Sequence, residues 1–578
     1  MTYRFSAILL KSVAVIALTA VSYSGLSFNS MAEGRPSESV LDTPADAELL
    51  GDYLAGTYAN LLEDAQARSE YFTKAYKASP SDVRLGRRAI TAAVTAGDFD
   101  LATKLSKELY KTEKNESMAL TVLAIDAFAR GRHKQARKYL KPDTADISMG
   151  IVMAFTQGWN EVALGNEDKA KEIFEGQKAR AYFGDLGALQ IAKMAALSED
   201  YETAAPLFEA LREPTQAIME STLSSIRFYA ASGQIEKAAE IANAYVDDAN
   251  IESGPITTYA KALKAGRSID KPLKPNQQLS LSLTDPAYEF FLRNRAADAA
   301  EVYLRFALQV DSKNEKAQLW LARLLEETDR ADNAMAIYQS FADSSPYIIS
   351  ARLSEANIYF DRDEDDKALK VLEDVNAKHE TFVTREALGR ARFIREKFAE
   401  ALPIYTAIIE SMSDEELAKN TQPLYLRGIG YERTEQWKKA EDDFLRVLEI
   451  EPDNSDALNY LGYTWVDRGE NLTEAFDMIR KAVALEPDSG AIIDSLGWAH
   501  FKLGEYKEAK VQLEKAVELS PSSATIIDHL GDVYWKLGRY REAGYQWERA
   551  LIYDPTDEER TRIQQKLETG LPSVSSAQ

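Results

Sequence analysis

Gly490-Ala-Ile-Ile-Asp-Ser-Leu-Gly-Trp-Ala-His-Phe-Lys-Leu-Gly-Glu-Tyr-Lys-Glu-Ala-Lys-Val-Gln-Leu-Glu-Lys-Ala-Val-Glu-Leu-Ser-Pro521 decides the fold. Between Ala491 and Leu503, Ile493, Leu496 and the run from His500 to Leu503 keep a helical period. Gly504 then supplies a turn. Tyr506 to Leu519 forms a second helix, with Ala509, Leu513, Ala516 and Val517 on one face. Pro521 stops it, because proline lacks the backbone donor and clashes with a continuing helix. Gly497, Ala509 and Ala516 are small enough to let two antiparallel helices approach closely.

The same unit recurs on both sides. Glycines at Gly428, Gly462, Gly497 and Gly531 are spaced by 34, 35 and 34 residues. Ala440, Ala475, Ala509 and Ala543 follow them, and Pro452, Pro487, Pro521 and Pro555 close each unit. The extra residue falls within Asp467–Leu472, a turn, where an insertion costs little. This pattern resembles the tetratricopeptide repeat (TPR), carried by Leu496-Gly497, Ala509, Leu513, Ala516 and Pro521 and by Leu530-Gly531, Tyr534, Ala543, Trp547, Ala550 and Pro555. The resemblance implies an all-α fold, a right-handed superhelical solenoid of helix-turn-helix repeats.

Degenerate copies extend upstream. They carry Leu388-Gly389 with Ala401 and Tyr405, Ala356 with Ala368, Leu321-Ala322 with Ala334, and Tyr288 with Ala300. Only fragments survive nearer the N-terminus, such as Gly56 with Phe72, Gly97 with Ala102, Gly131 with Ala136 and Gly165 with Phe174. Matching these offsets to the 34-residue period gives about fourteen helix pairs. The expected organisation is a degenerate TPR-like array at 46–252, a linker at 253–284, degenerate TPR repeats at 285–420, well-formed repeats at 421–557 and a capping helix at 558–568. The linker is expected because Gly266 to Gln277 holds two prolines and little helical patterning. Residues 33–45 and 569–578 are expected to be disordered.

Residues 1–32 read as a secretory signal. Arg4 and Lys11 precede an apolar run from Val13 to Val21, too short to span a bilayer, and Ser30-Met31-Ala32 offers a small-residue cleavage site. The body is therefore expected in the periplasm, without a transmembrane span in the mature chain. The alternative is an uncleaved N-terminal anchor in the inner membrane, with the same body facing the periplasm.

Composition narrows the function. The 578 residues hold 69 Lys and Arg against 92 Asp and Glu, a net charge of −23, which disfavours nucleic acid as a partner. The chain has no cysteine, so disulfides, thiolate nucleophiles and Cys-ligated metals are excluded. It has four histidines and no His-Glu-x-x-His, phosphate-binding Gly-Lys loop or Gly-x-Ser-x-Gly elbow. No enzyme, cofactor or metal site is read. The remote alternative is an unrecognised active site in residues 45–280. Asp494 and His529 are placed to meet across adjacent repeats, and without a Ser or Cys partner the pair reads as an inter-repeat hydrogen bond. Asp361–Asp366 lacks the glycine and terminal Glu spacing of a calcium loop and reads as a solvated turn.

In TPR proteins the first helix of each pair lines a concave wall. The resemblance places Asn459, Tyr463, Asp494, Trp498, Phe501, Lys502, Asp528, Asp532, Trp535 and Lys536 there. Large aromatics with a polar rim suit recognition of other proteins. Tyr463, Trp498 and Asp532 stand where chaperone-binding TPRs carry a clamp asparagine, so an acidic C-terminal peptide is not expected. A narrower resemblance, in Asn459–Ala475, Gly490–Trp498 and Asp528–Trp535, is to exported proteobacterial TPR proteins, some of which are lipoprotein adaptors of carboxy-terminal processing proteases. It implies a scaffold or adaptor in the cell envelope, partnered by an envelope protease or assembly complex. The lack of cysteine excludes that lipid anchor. The alternative is a factor that binds or assembles an envelope glycan, since aromatics on a concave wall also suit sugars.

Overall fold

The computed structural model describes residues 44–571, apart from 142–146, 179–183, 212–218, 250–252, 268–272 and 295. The expected signal, most of the segment at 33–45 and nearly all of the C-terminal tail lie outside the described residues. Among the described residues there are thirty-one α-helices and no strand. They form fourteen successive pairs and three single helices, Pro255–Lys264, Asp414–Lys419 and Asp557–Thr569. The architecture is an all-α, TPR-like right-handed solenoid of paired helical repeats. The described residues divide into two compact units, 44–384 and 385–571.

One contact recurs inside the pairs. A glycine on the first helix faces a bulky side chain sixteen residues later on the second. A Cβ at Gly497 would fall 2.6 Å from Cγ of Leu513, and one at Gly531 would fall 2.5 Å from Cδ1 of Trp547. Gly428 meets Phe444 in the same way, and in the larger unit Gly56 meets Phe72 and Gly158 meets Phe174. At Gly462 the extra residue moves the partner on by one, to Ile479. Ala509 and Ala516 are fully buried beside the Leu513 contact. The interface thus runs on small residues because the helix axes lie too close for larger ones.

A second recurrence sits in the turn between paired helices. Gly97, Gly131, Gly165, Gly233, Gly469, Gly504 and Gly538 all have positive φ. Where glycine is missing, Glu63, Glu199, Asp329, Asp363, Glu396 and Glu435 take the same left-handed conformation. From Glu63 to Gly233 these residues are spaced by 34 throughout, so the degenerate N-terminal half keeps the register of the C-terminal repeats.

The described residues of the segment expected to be a linker are largely helical. Pro255 opens the helix Pro255–Lys264 and Pro275 opens Pro275–Asn294, positions where a missing N–H is no loss. The second of these helices and Ala297–Val310 pack along the first-helix wall of the array before them, against Val83–Thr95, Ser117–Ala129, Ile147–Ala163 and Gly184–Leu197. Leu279, Leu283, Tyr303 and Phe306 enter the common core there. The polar run Ser280, Ser282 and Thr284 is satisfied internally. Ser280 donates to the Ala307 carbonyl at 2.8 Å, and Thr284 to the Ser280 carbonyl at 2.9 Å. The concave wall of residues 83–197 is therefore filled by the chain itself.

Two outcomes test this packing. Ala509→Leu should destabilise the protein by about 1–3 kcal/mol through overpacking, read in urea unfolding; an unchanged midpoint contradicts the packing. Glu435→Gly should stabilise by about 0.5–1 kcal/mol, the left-handed penalty less the entropy of glycine, read as a higher Tm than wild type.

Candidate functional site

In the smaller unit, the first helices Ser455–Arg468, Gly490–Lys502 and Ala524–Lys536 stand side by side, and Asp557–Thr569 takes the place of a further one. The 34-residue period brings equivalent positions together, so a side chain on one first helix meets one about a period later on the next, as Asp494 meets His529 and Asp528 meets Arg562. The ten residues placed on the wall separate into a buried layer and a more open one.

Asp494 is 0% exposed and His529 is 1% exposed. His529 Nδ1 lies 2.9 and 3.1 Å from the two carboxylate oxygens of Asp494, which joins adjacent repeats. Burial disfavours the charged ring, but the carboxylates of Asp494, Asp528 and Asp532 outweigh it and hold the imidazole above its ordinary value. Trp498 stacks on this ring with centroids 4.1 Å apart, and on Phe501 at 4.7 Å and 10°. The tryptophan face thus covers the imidazole and shields its bond to Asp494 from water.

Asp528 and Asp532 are also buried, and the final helix supplies their partners. Lys566 Nζ donates to Asp528 at 2.8 Å and to Asp532 at 2.7 Å, and Arg562 reaches Asp528 at 3.0 Å. Trp547 Nε1 donates to Asp532 at 2.9 Å. Burial and the neighbouring Asp528 push the Asp532 carboxyl up, against the pull of Lys566. These aspartates fasten the capping helix to the last repeat. Trp535 packs against Tyr540 and Trp547, with Gly570 directly over its ring.

The more open layer holds Asn459, Tyr463, Trp498, Phe501 and Lys536, all half-buried, and Lys502, which is exposed. Lys502 pairs with Asp467 at 2.9 Å and lies 5.7 Å from the centre of the Trp498 ring. Asn459 Oδ1 and Trp498 Nε1 have no hydrogen-bond partner.

The larger unit holds a polar centre that spacing did not reveal. Lys193, Glu220, Asp285 and Lys316 meet in its interior. Lys316 donates to Asp285 at 2.6 Å and lies 3.5 Å from Glu220, and Lys193 lies 3.2 Å from Glu220. Burial opposes ionisation of Glu220, but Lys193, Lys316 and Arg227 together hold it down at about 2. Burial raises Asp285 despite Lys316, and Asp285 and Glu220 keep Lys316 charged against its own burial. The available sequence signal was a lysine inside the mostly apolar stretch of the helix Gly184–Leu197.

Tetratricopeptide repeat profiles match residues 117–137, 287–347 and 425–490, and a TPR repeat profile matches 497–538. A TPR repeat-containing protein of Pseudomonas aeruginosa is 28% identical over 190 residues, 33% of this chain and 32% of that protein. The general transcriptional corepressor ssn6 of Schizosaccharomyces pombe is 26% identical over 142 residues, 24% of this chain and 13% of that one. The chain thus spans about a third or less of the curated relatives it matches. Among solved structures, the APC/C hetero-tetramer Cut9–Hcn1 has a TM-score of 0.35 at 15% identity, covering 92% of this chain and 97% of that chain. A TPR protein of Thermus thermophilus has a TM-score of 0.28 at 20% identity, covering 32% of this chain and 100% of the other.

Residues 117–137, 287–347, 425–490 and 497–538 thus carry tetratricopeptide repeats, and part of the chain is similar to other TPR repeat-containing proteins. Among the described residues, no group of three or more His, Asp or Glu side chains converges to hold a metal ion. No helix among them is long and apolar enough to cross a membrane.

The His529 pair carries a pH signature. An unfolded histidine titrates near 6.5 and His529 titrates above that when folded. Its contribution to stability is complete below pH 6.5 and is lost as pH rises through the folded value. Urea unfolding across pH 6–9 should show this fall in wild type and not in His529→Gln. Parallel curves for the two proteins contradict a charged buried pair.

Proposed function

We propose that the protein is an adaptor of the bacterial periplasm that binds other proteins along the first-helix wall of its C-terminal repeats. The observation that carries this reading is the stacked pair Trp498–Phe501. The rings lie 4.7 Å apart, half-buried, with the ammonium of Lys502 beside them. Flat aromatic area held rigid by its neighbours, next to a charge in water, is the usual make-up of an interaction hot spot. The Asp494–His529 pair beneath holds the Trp498 ring in place, so the surface needs little ordering on binding.

The wall in the larger unit supports the assignment by contrast. Its face over residues 83–197 is covered by the helices Pro275–Asn294 and Ala297–Val310. The periplasmic setting rests on the signal-like segment at residues 1–32. The partnership with an envelope protease or assembly complex rests on the likeness of Asn459–Ala475, Gly490–Trp498 and Asp528–Trp535 to exported adaptor proteins.

The test is photo-crosslinking in cells from positions 463 and 502, with position 511 as control, since Val511 is 61% exposed on a second helix. Discrete protein adducts from 463 and 502, absent from 511 and lost in a Trp498→Ala background, are expected. Equal labelling from all three positions, or retention of isolated glycan in place of protein, contradicts the adaptor reading.

A further inference from the structure

Next to the buried polar centre of the larger unit lies a cavity of about 130 Å³. It opens among the helices Gly184–Leu197, Tyr201–Ala210 and Met219–Ala231 and the start of Pro275–Asn294. One side is aromatic. Phe208 and Phe228 are buried with centroids 5.0 Å apart, and Tyr201 lies 5.8 Å from Phe228. The opposite side is polar, lined by Lys193, Arg227 and Gln278.

The polar side is incompletely satisfied. Gln278 is 7% exposed, and its Oε1 has no hydrogen-bond partner. Arg227 donates through Nε to the Tyr259 hydroxyl at 2.9 Å, while its buried Nη1 has no hydrogen-bond partner. That nitrogen stands 3.6 Å from Glu220, beyond hydrogen-bonding range. The charges do not balance either. Among the described residues, Lys193, Lys316 and Arg227 face two carboxylates, Glu220 and Asp285, and the two lysines hold those at shorter distances. Arg227, the most weakly paired of the three cations, therefore stands at the cavity wall, where a half-compensated charge favours an added anion. Glu199 is exposed at the rim and does not fill this role.

We propose that this cavity binds a small apolar carboxylate, with the carboxylate on Arg227 and Gln278 and the hydrocarbon part between Tyr201, Phe208 and Phe228. The volume suits a single ring or a short branched chain, since a cavity of about 150 Å³ accommodates benzene. An amide can turn its N–H₂ toward the anion, as the two orientations are nearly isosteric. Inorganic phosphate would meet the charge but leave the aromatic wall unused. The site belongs to the larger unit and does not depend on the C-terminal wall.

Calorimetric titration of the full chain with sodium benzoate tests this, with benzyl alcohol and inorganic phosphate as comparison probes. Saturable one-site binding of benzoate is expected, with both comparison probes weaker by at least roughly tenfold. Arg227→Gln should weaken benzoate by a similar factor, and Ala196→Phe, which fills the cavity, should abolish it. Circular dichroism checks that each variant folds; if Arg227→Gln does not, Ala196→Phe and the probe comparison still decide. The proposal is overturned if benzoate shows no saturation up to about 10 mM, if either comparison probe equals it, or if a folded variant binds like wild type.

Discussion

The helix pairs that carry Gly56, Gly158, Gly428, Gly462, Gly497 and Gly531 depend on a missing side chain. Where Gly497 faces Leu513, or Gly531 faces Trp547, the absence of a Cβ lets a bulky residue sit against the backbone of the opposing helix. The helix axes then come close enough for Ala509 and Ala516 to be buried completely. Close approach sets how each pair nests on the next, because neither helix can hide its apolar face alone. The left-handed turn residue completes the unit by reversing the chain within two or three residues. Aspartate and glutamate accept that conformation in six turns, so the turn needs a left-handed residue but not always glycine.

The same unit leads to different surfaces in the two parts of the chain. In the larger unit, the helices Ser117–Ala129 and Ile147–Ala163 are apolar almost all round, which a solvent-facing wall does not permit. The chain covers them with its own helices, and the polar groups drawn inside assemble around Glu220. In the smaller unit, the equivalent first helices carry aspartate, histidine and lysine between their apolar positions. Their carboxylates are spent on His529 and on the capping helix, and the aromatic pair above them remains partly open. A recognition surface built this way is rigid, because the groups that could relax are already paired from below.

Much of this was legible. The repeat register, the two-helix unit and the Asp494–His529 pairing followed from spacing, because a fixed period brings equivalent positions together in space. The helices Pro255–Lys264 and Pro275–Asn294 did not. Serine, threonine and proline there mimic loop composition, and only the packed structure shows the hydroxyls bonded to backbone carbonyls within and beside the helix. The fate of Asp528 and Asp532 was hidden for a related reason. Arg562 and Lys566 lie on a strongly polar helix that reads as solvated, yet one face of it turns inward to meet two carboxylates. Nor did composition disclose the centre around Glu220, since its members are far apart in the chain. The all-apolar character of Ser117–Ala129 was the overlooked signal that its wall is covered.

The most direct measurement of this account is hydrogen exchange of the intact chain, resolved by peptide. If the chain fills its own N-terminal wall, amides of Pro275–Asn294 should exchange as slowly as those of Ser117–Ala129. Rapid exchange across Pro275–Asn294 beside a protected Ser117–Ala129 would mean that the wall is open, and the contrast between the two units would fail.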